Sequence, residues 1–133
     1  MTNEKTPLEL VQQTYAAFGS GDVPTMLAGM ADTIEWNSHY PAVVPFGGLW
    51  RGHEGVITLL TGIGAALDVQ RFEIAEFIAQ GNKVVAIGFE EATAKPTGRS
   101  YRNEWVHVWT VRDGKVVEIR TYNDTAAVAA AFA

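Results

Sequence analysis

At 133 residues, with net charge −5, 47% hydrophobic and 19% charged residues, the chain reads as one globular domain, 1–133, long enough to bury a real core. An acidic balance with no basic run argues against a nucleic-acid footprint, which needs clustered Lys and Arg. The absence of cysteine rules out disulfides and thiolate ligands. With no apolar signal core and no stretch long enough to span a bilayer, the default expectation is a cytoplasmic protein without a membrane partner.

Thr6-Pro7-Leu8-Glu9 predicts a helix start: a threonine cap, proline at the first helical position and glutamate completing a capping box. Leu8, Val11, Tyr15 and Phe18 recur at helical spacing, and Gly19-Ser20-Gly21 ends the run. Asp22 caps a short second helix carrying Met26, Leu27 and Met30. Thr33 to Ser38 reads as a strand with Ile34, Trp36 and Ser38 on one face. Tyr40 to Gly52 reads as loop, marked by Pro41, Pro45 and Gly47-Gly48. Its Tyr40, Phe46 and Trp50 could form a lid or pack as core. His53 to Leu67 supports a third helix. Strands follow at Asp68–Ala79, Lys83–Ala94, Ser100–Arg112 and Lys115–Asn123, and Asp124 could cap a last helical turn over Thr125–Phe132. Helices followed by an antiparallel meander define an α+β chain.

Asp113-Gly114 is a strong two-residue hairpin signal, because a type I′ turn needs positive φ at both central positions. In the strand before it, Tyr101, Asn103, Trp105, His107, Trp109 and Val111 share one face. An amide and an imidazole interleaved with indoles look like the wall of a ligand pocket.

The order of elements, with Tyr15-Ala16-Ala17-Phe18-Gly19-Ser20-Gly21-Asp22, Met30-Ala31-Asp32, Trp50-Arg51-Gly52, Asp113-Gly114-Lys115-Val116-Val117 and Tyr122-Asn123-Asp124-Thr125, resembles the NTF2-like superfamily in its ketosteroid-isomerase and SnoaL-like branch. The resemblance covers nearly the whole chain. It implies a cone-shaped barrel, a curved and mostly antiparallel sheet wrapped around three helices, with a deep apolar pocket. It also implies a homodimer through the outer sheet face, where Arg102, Glu104, Val106, Val108 and Thr110 lie.

The ketosteroid isomerases match without gaps from Val11 to His39. Their general-base aspartate falls on Ser38, their oxyanion-hole tyrosine on Thr14, and their protonated aspartate on His107. All three differ, which argues against steroid isomerisation by that mechanism. Tyr15, one residue on, belongs to a different face of the helix from Thr14. In SnoaL-like cyclases the acid/base aspartate matches the position of His107. A histidine there could do the same work with a reference pKa of about 6.5.

His107 is therefore the candidate catalytic residue. Asn103, Trp105, Trp36, Ser38, Tyr15, Phe18 and Asn123 are candidates for substrate binding. Val85, Ile87 and Phe89 are bulky and expected to face inward, which would put Glu91 on the pocket side. His39, His53 and His107 fit no ligand spacing, so neither metal nor cofactor is expected. The expected function is an enzyme or binder of a small hydrophobic, carbonyl-bearing molecule, using cofactor-free acid/base chemistry of isomerase, cyclase or hydratase type. The alternative is a non-catalytic ligand-binding or dimerisation module. If His107 is the base, activity should rise through its pKa, which indoles would lower and an ionised Glu91 would raise.

Overall fold

The computed structural model describes residues 5–133. Helix α1 (Pro7–Ser20) opens on the expected capping box: the Thr6 hydroxyl accepts from the Glu9 amide, and the Glu9 carboxylate accepts from the Thr6 amide. It closes at Gly21, whose φ of 72° is a left-handed C-terminal stop. Then follow α2 (Val23–Ala28), β1 (Met30–Ser38), β2 (Gly48–Arg51), α3 (Gly52–Ala66), β3 (Leu67–Gln80), β4 (Lys83–Ala94), β5 (Arg99–Arg112), β6 (Lys115–Tyr122) and α4 (Thr125–Phe132). Asp113 and Gly114 have φ of 51° and 74°, as a type I′ hairpin requires. Asp124 caps α4 by accepting from the Ala127 amide.

The six strands form one curved sheet in the order β2-β1-β6-β5-β4-β3. All neighbours are antiparallel except β1 and β6, which run parallel. The sheet stays open, with β2 and β3 as its edges. Most boundaries fall within a residue of the sequence reading, and two regions differ by more. The end of the predicted loop forms β2, because Gly48–Arg51 finds the free edge of β1 and pairs Trp50 with Trp36. β1 also begins earlier than Thr33: Met30, expected on the second helix, lies beyond its end at Ala28 and already pairs with Val116.

Two apolar clusters fill the concave side. Leu10, Val11 and Ala17 of α1 pack with Ile34, Val84, Trp109, Val116 and Ile119. Leu59 of α3 and Val128 and Ala131 of α4 pack with Val44, Phe46, Ala92, Ala94 and Tyr101. Trp36 touches both clusters. Val44 and Phe46 are buried, and Phe46 meets Tyr40 and Phe132 edge-on, so the 40–47 loop serves as core. Among the described residues, no helix is long and apolar enough to cross a membrane.

The inward face of β5 follows the parity read from sequence, but β4 has the reverse of the expected orientation. Val84, Ala86, Gly88, Glu90, Ala92 and Ala94 are buried, while Val85, Ile87, Phe89 and Glu91 are half-exposed on the outer face. The register supplies the reason. Ala86 lies opposite His107, Gly88 opposite Trp105 and Ala92 opposite Tyr101. Large rings on β5 leave room only for small neighbours on β4. Size complementarity between strands outweighs hydrophobicity here.

Candidate functional site

A cavity of about 380 Å³ opens between α1, α3 and the concave face of the sheet. That volume lies in the range of small-molecule sites. Its wall is largely apolar, and β5 contributes Asn103, Trp105, His107 and Trp109 in successive inward positions. Of the residues expected at the site from sequence, Tyr15, Phe18, Trp36, Ser38, Asn103, Trp105, His107 and Asn123 all line it.

Glu91 does not. It lies on the outer face, 42% exposed, paired with Arg102 at 3.3 Å and Arg71 at 3.7 Å. Its place at the cavity is taken by Glu90, which the reversed parity of β4 turns inward. The alternation Ala86, Gly88, Ala92 against the rings of β5 was the signal that could have identified Glu90.

At one end of the cavity, α1 and β5 meet in a three-residue hydrogen-bonded chain. Trp109 Nε1–H donates to Tyr15 Oη at 2.9 Å, and Tyr15 Oη lies 2.6 Å from His107 Nδ1. An indole N–H can only donate, so the phenol oxygen accepts there. The phenol proton then has one useful acceptor, Nδ1, and leaving it unused in a buried site would be costly. This assignment makes His107 the Nε2–H tautomer, with that N–H left to the cavity. Burial lowers the His107 pKa to about 3 and raises that of Tyr15 above the ordinary tyrosine range.

The ring stack extends outward. His107 lies 4.0 Å from Trp105 at an interplanar angle of 15°, and Trp105 lies 5.0 Å from Phe72 of β3 at 18°. Tyr15, not Thr14, supplies the helix hydroxyl. The Thr14 hydroxyl donates instead to the Leu10 carbonyl within α1.

At the other end, Glu90 Oε1 accepts from Asn103 Nδ2 at 3.1 Å and from Tyr101 Oη at 3.4 Å. Asn103 also donates to Asn123 Oδ1 at 3.0 Å, and its own oxygen accepts from the Asp124 amide at 2.8 Å. Burial raises the Glu90 pKa, opposed by the bonds from Asn103 and Tyr101. The same carboxyl pushes the neighbouring Tyr40 and Tyr101 phenols up, after burial itself.

The remaining histidines are held elsewhere. His39 Nδ1 bonds with the Thr121 carbonyl oxygen and its ring stacks on Tyr122. His53 Nε2 bonds with the Met30 carbonyl oxygen. Among the described residues, no group of three His, Asp or Glu could hold a metal ion.

The SnoaL-like domain family matches residues 11–119, and the chain belongs to it. The chain is similar over its full length to an NTF2-like protein from Burkholderia xenovorans LB400, with 34% identity, complete coverage of both chains and a TM-score of 0.86. An NTF2-like protein from Burkholderia thailandensis E264 is 30% identical over 97% of this chain and 98% of its own, with a TM-score of 0.89. TerC, co-crystallised with polyporic acid, is 32% identical over 96% of this chain and 98% of its own, with a TM-score of 0.83. No curated protein matches the chain.

Proposed function

We propose that the cavity binds a small hydrophobic, carbonyl-bearing molecule and that Glu90 performs cofactor-free acid/base chemistry on it. The observation that carries this reading is a buried carboxyl, held above its ordinary pKa, in a largely apolar cavity of ligand size. The TerC structure, with its polyporic acid, supports a small organic ligand.

Protonated Glu90 would deliver its proton to the carbonyl oxygen of the ligand. Asn103 and Tyr101 would hold the resulting carboxylate, which then removes a proton from the carbon α to that carbonyl, giving the enol and restoring the acid. No net proton is consumed, as an isomerisation or cyclisation requires. His107 then acts as a neutral N–H donor. Its Nδ1 is occupied by Tyr15, and a pKa of about 3 leaves it unable to gather protons near neutrality.

A screen of aromatic ketones and enones, followed by fluorescence for binding and by absorbance for turnover, tests the reading. Glu90→Gln is expected to lower kcat by roughly 10²–10⁴-fold, the usual worth of a general acid or base, with affinity retained. Activity should fall as pH rises through the raised Glu90 pKa, because the acid must be protonated. Turnover that is unchanged in Glu90→Gln would refute the assignment.

One observation favours a second reading, a non-catalytic carrier. Glu90 pairs with Asn103 and Ala86 with His107, so the two groups sit four residues apart along adjacent strands, about 13 Å at the backbone. They cannot act on one carbonyl together. Binding without turnover across the screen would support the carrier.

We also propose a homodimer through the outer sheet face. There Val108 lies opposite Val85 and Val106 opposite Ile87, with Ile78 next to Val85 and 53% exposed. The guanidinium groups of Arg71 and Arg102 both pack on the Phe89 ring at the charged margin. An apolar centre with a charged rim is the usual anatomy of an interface. Thr110 is not available to it, being buried with its hydroxyl bonded to Lys83 Nζ. Sedimentation should show a dimer at micromolar concentration and a monomer for Val106→Arg; a wild-type monomer under those conditions would rule the dimer out.

A further inference from the structure

We propose that the ligand is elongated and carries an oxygen acceptor at each end, one for His107 Nε2–H and one for Glu90 Oε2. This rests on the cavity being a small-molecule site, and it narrows the class of molecule that fills it.

Each polar station has one hydrogen-bonding position taken by the protein and one left over. At His107, Tyr15 occupies Nδ1 and fixes the proton on Nε2. At Glu90, both protein donors reach Oε1. Among the described residues, neither His107 Nε2 nor Glu90 Oε2 makes a hydrogen bond, and neither is fully enclosed by protein. Oε1 is filled by the two protein donors and, among the described residues, no cation pairs with the carboxyl, so the neutral form, which burial favours, carries its proton on Oε2. Both stations therefore present donors to the cavity.

The wall between the stations is largely aromatic. Trp105 occupies the single inward position separating Asn103 from His107, and its indole is stacked against His107 and Phe72. Trp36, Leu59 and Ile63 line the same cavity. A short ligand could satisfy one station only, leaving the other donor unpaired beside apolar surface. A rod-shaped aromatic body with a terminal oxygen at each end satisfies both, and a site of this kind discriminates strongly against analogues that leave a buried polar group unpaired.

The test uses the full-length protein and three probes of one shape: biphenyl, 4-acetylbiphenyl and 4,4′-diacetylbiphenyl. Binding is read by quenching of tryptophan fluorescence, since Trp36, Trp105 and Trp109 line the cavity. Affinity should rise about tenfold with each ketone, close to the worth of one hydrogen bond in a dry site. In His107→Phe, which keeps a ring in the stack, the diketone should bind only as tightly as the monoketone binds the wild type. Glu90→Met should lose the same single increment. A diketone no tighter than the monoketone in the wild-type protein would overturn the two-ended site while leaving the pocket reading intact. If none of the three probes binds, biphenyl included, the small-molecule reading fails with it. The wild-type comparison decides the matter even if either variant folds poorly.

Discussion

Gly88→Ala should destabilise the protein, by about 1–3 kcal/mol or more, although the same change in an ordinary strand would stabilise it. A methyl group at this position would stand 2.6 Å from Trp105 Cζ2 and still closer to the carbonyl oxygen of Glu73 on β3. Backbone lies on one side and a stacked indole on the other, so neither yields easily. Gly88 sits opposite Trp105 in the register, and its missing side chain is what lets the indole lie across β4 to reach Phe72. Urea unfolding gives the stability, and tryptophan emission reports whether the packing around the indoles has changed. A variant as stable as the wild type, with unchanged emission, would show that the close approach does not constrain the site.

Acid should weaken the fold through His107, and the sign follows from its lowered pKa. Above pH of about 6.5 the imidazole is neutral in both folded and unfolded chains and contributes nothing to pH dependence. As the pH falls below that value, the unfolded chain takes up a proton that the folded chain refuses until about pH 3. Stability is therefore lost across that window, on the order of 3–5 kcal/mol once water in the cavity is allowed for. Glu90 works in the opposite direction: its raised pKa contributes stability at low pH that is lost as the pH rises through it. Between pH 7.5 and 4.5, His107→Gln should remove roughly 2–3 kcal/mol of the wild-type decline in urea-unfolding free energy. An identical decline in both proteins would mean that the buried imidazole can be protonated in place. An activity limb rising through the His107 pKa, expected if His107 is the base, would lie near pH 3 in this environment, because burial lowers that pKa and Glu91 is on the outer face.

Much of the architecture was legible because local chemistry and tertiary packing agree. The capping box at Thr6 and the Asp113-Gly114 turn are complete within a few residues, and both occur where the sequence placed them. The inward face of β5 was legible because its alternation extends over eleven residues, from Tyr101 to Val111. β4 misled because both of its faces carry apolar residues, so hydrophobicity alone cannot say which side is inside. The deciding fact, the bulk of Trp105 and His107 across the strand, lies in the pairing register. That same register separates Glu90 from Glu91. The tautomer of His107 was equally hidden, because it depends on α1 bringing Tyr15 to a residue 92 positions away.

The parallel pairing of β1 with β6 has a consequence for how the molecule comes together. Met30 meets Val116 about 85 residues along the chain, whereas β3 through β6 are joined by short turns that can close early. No hairpin can seed the parallel pair, so its loop-closure entropy is lost before any contact rewards it. Trp36 and Ser38 reach the cavity on β1, while Glu90, Asn103 and His107 reach it on the meander. The polar stations thus belong to the segment with the most local connections, whereas Trp36 and Ser38 depend on the least local strand pairing in the sheet.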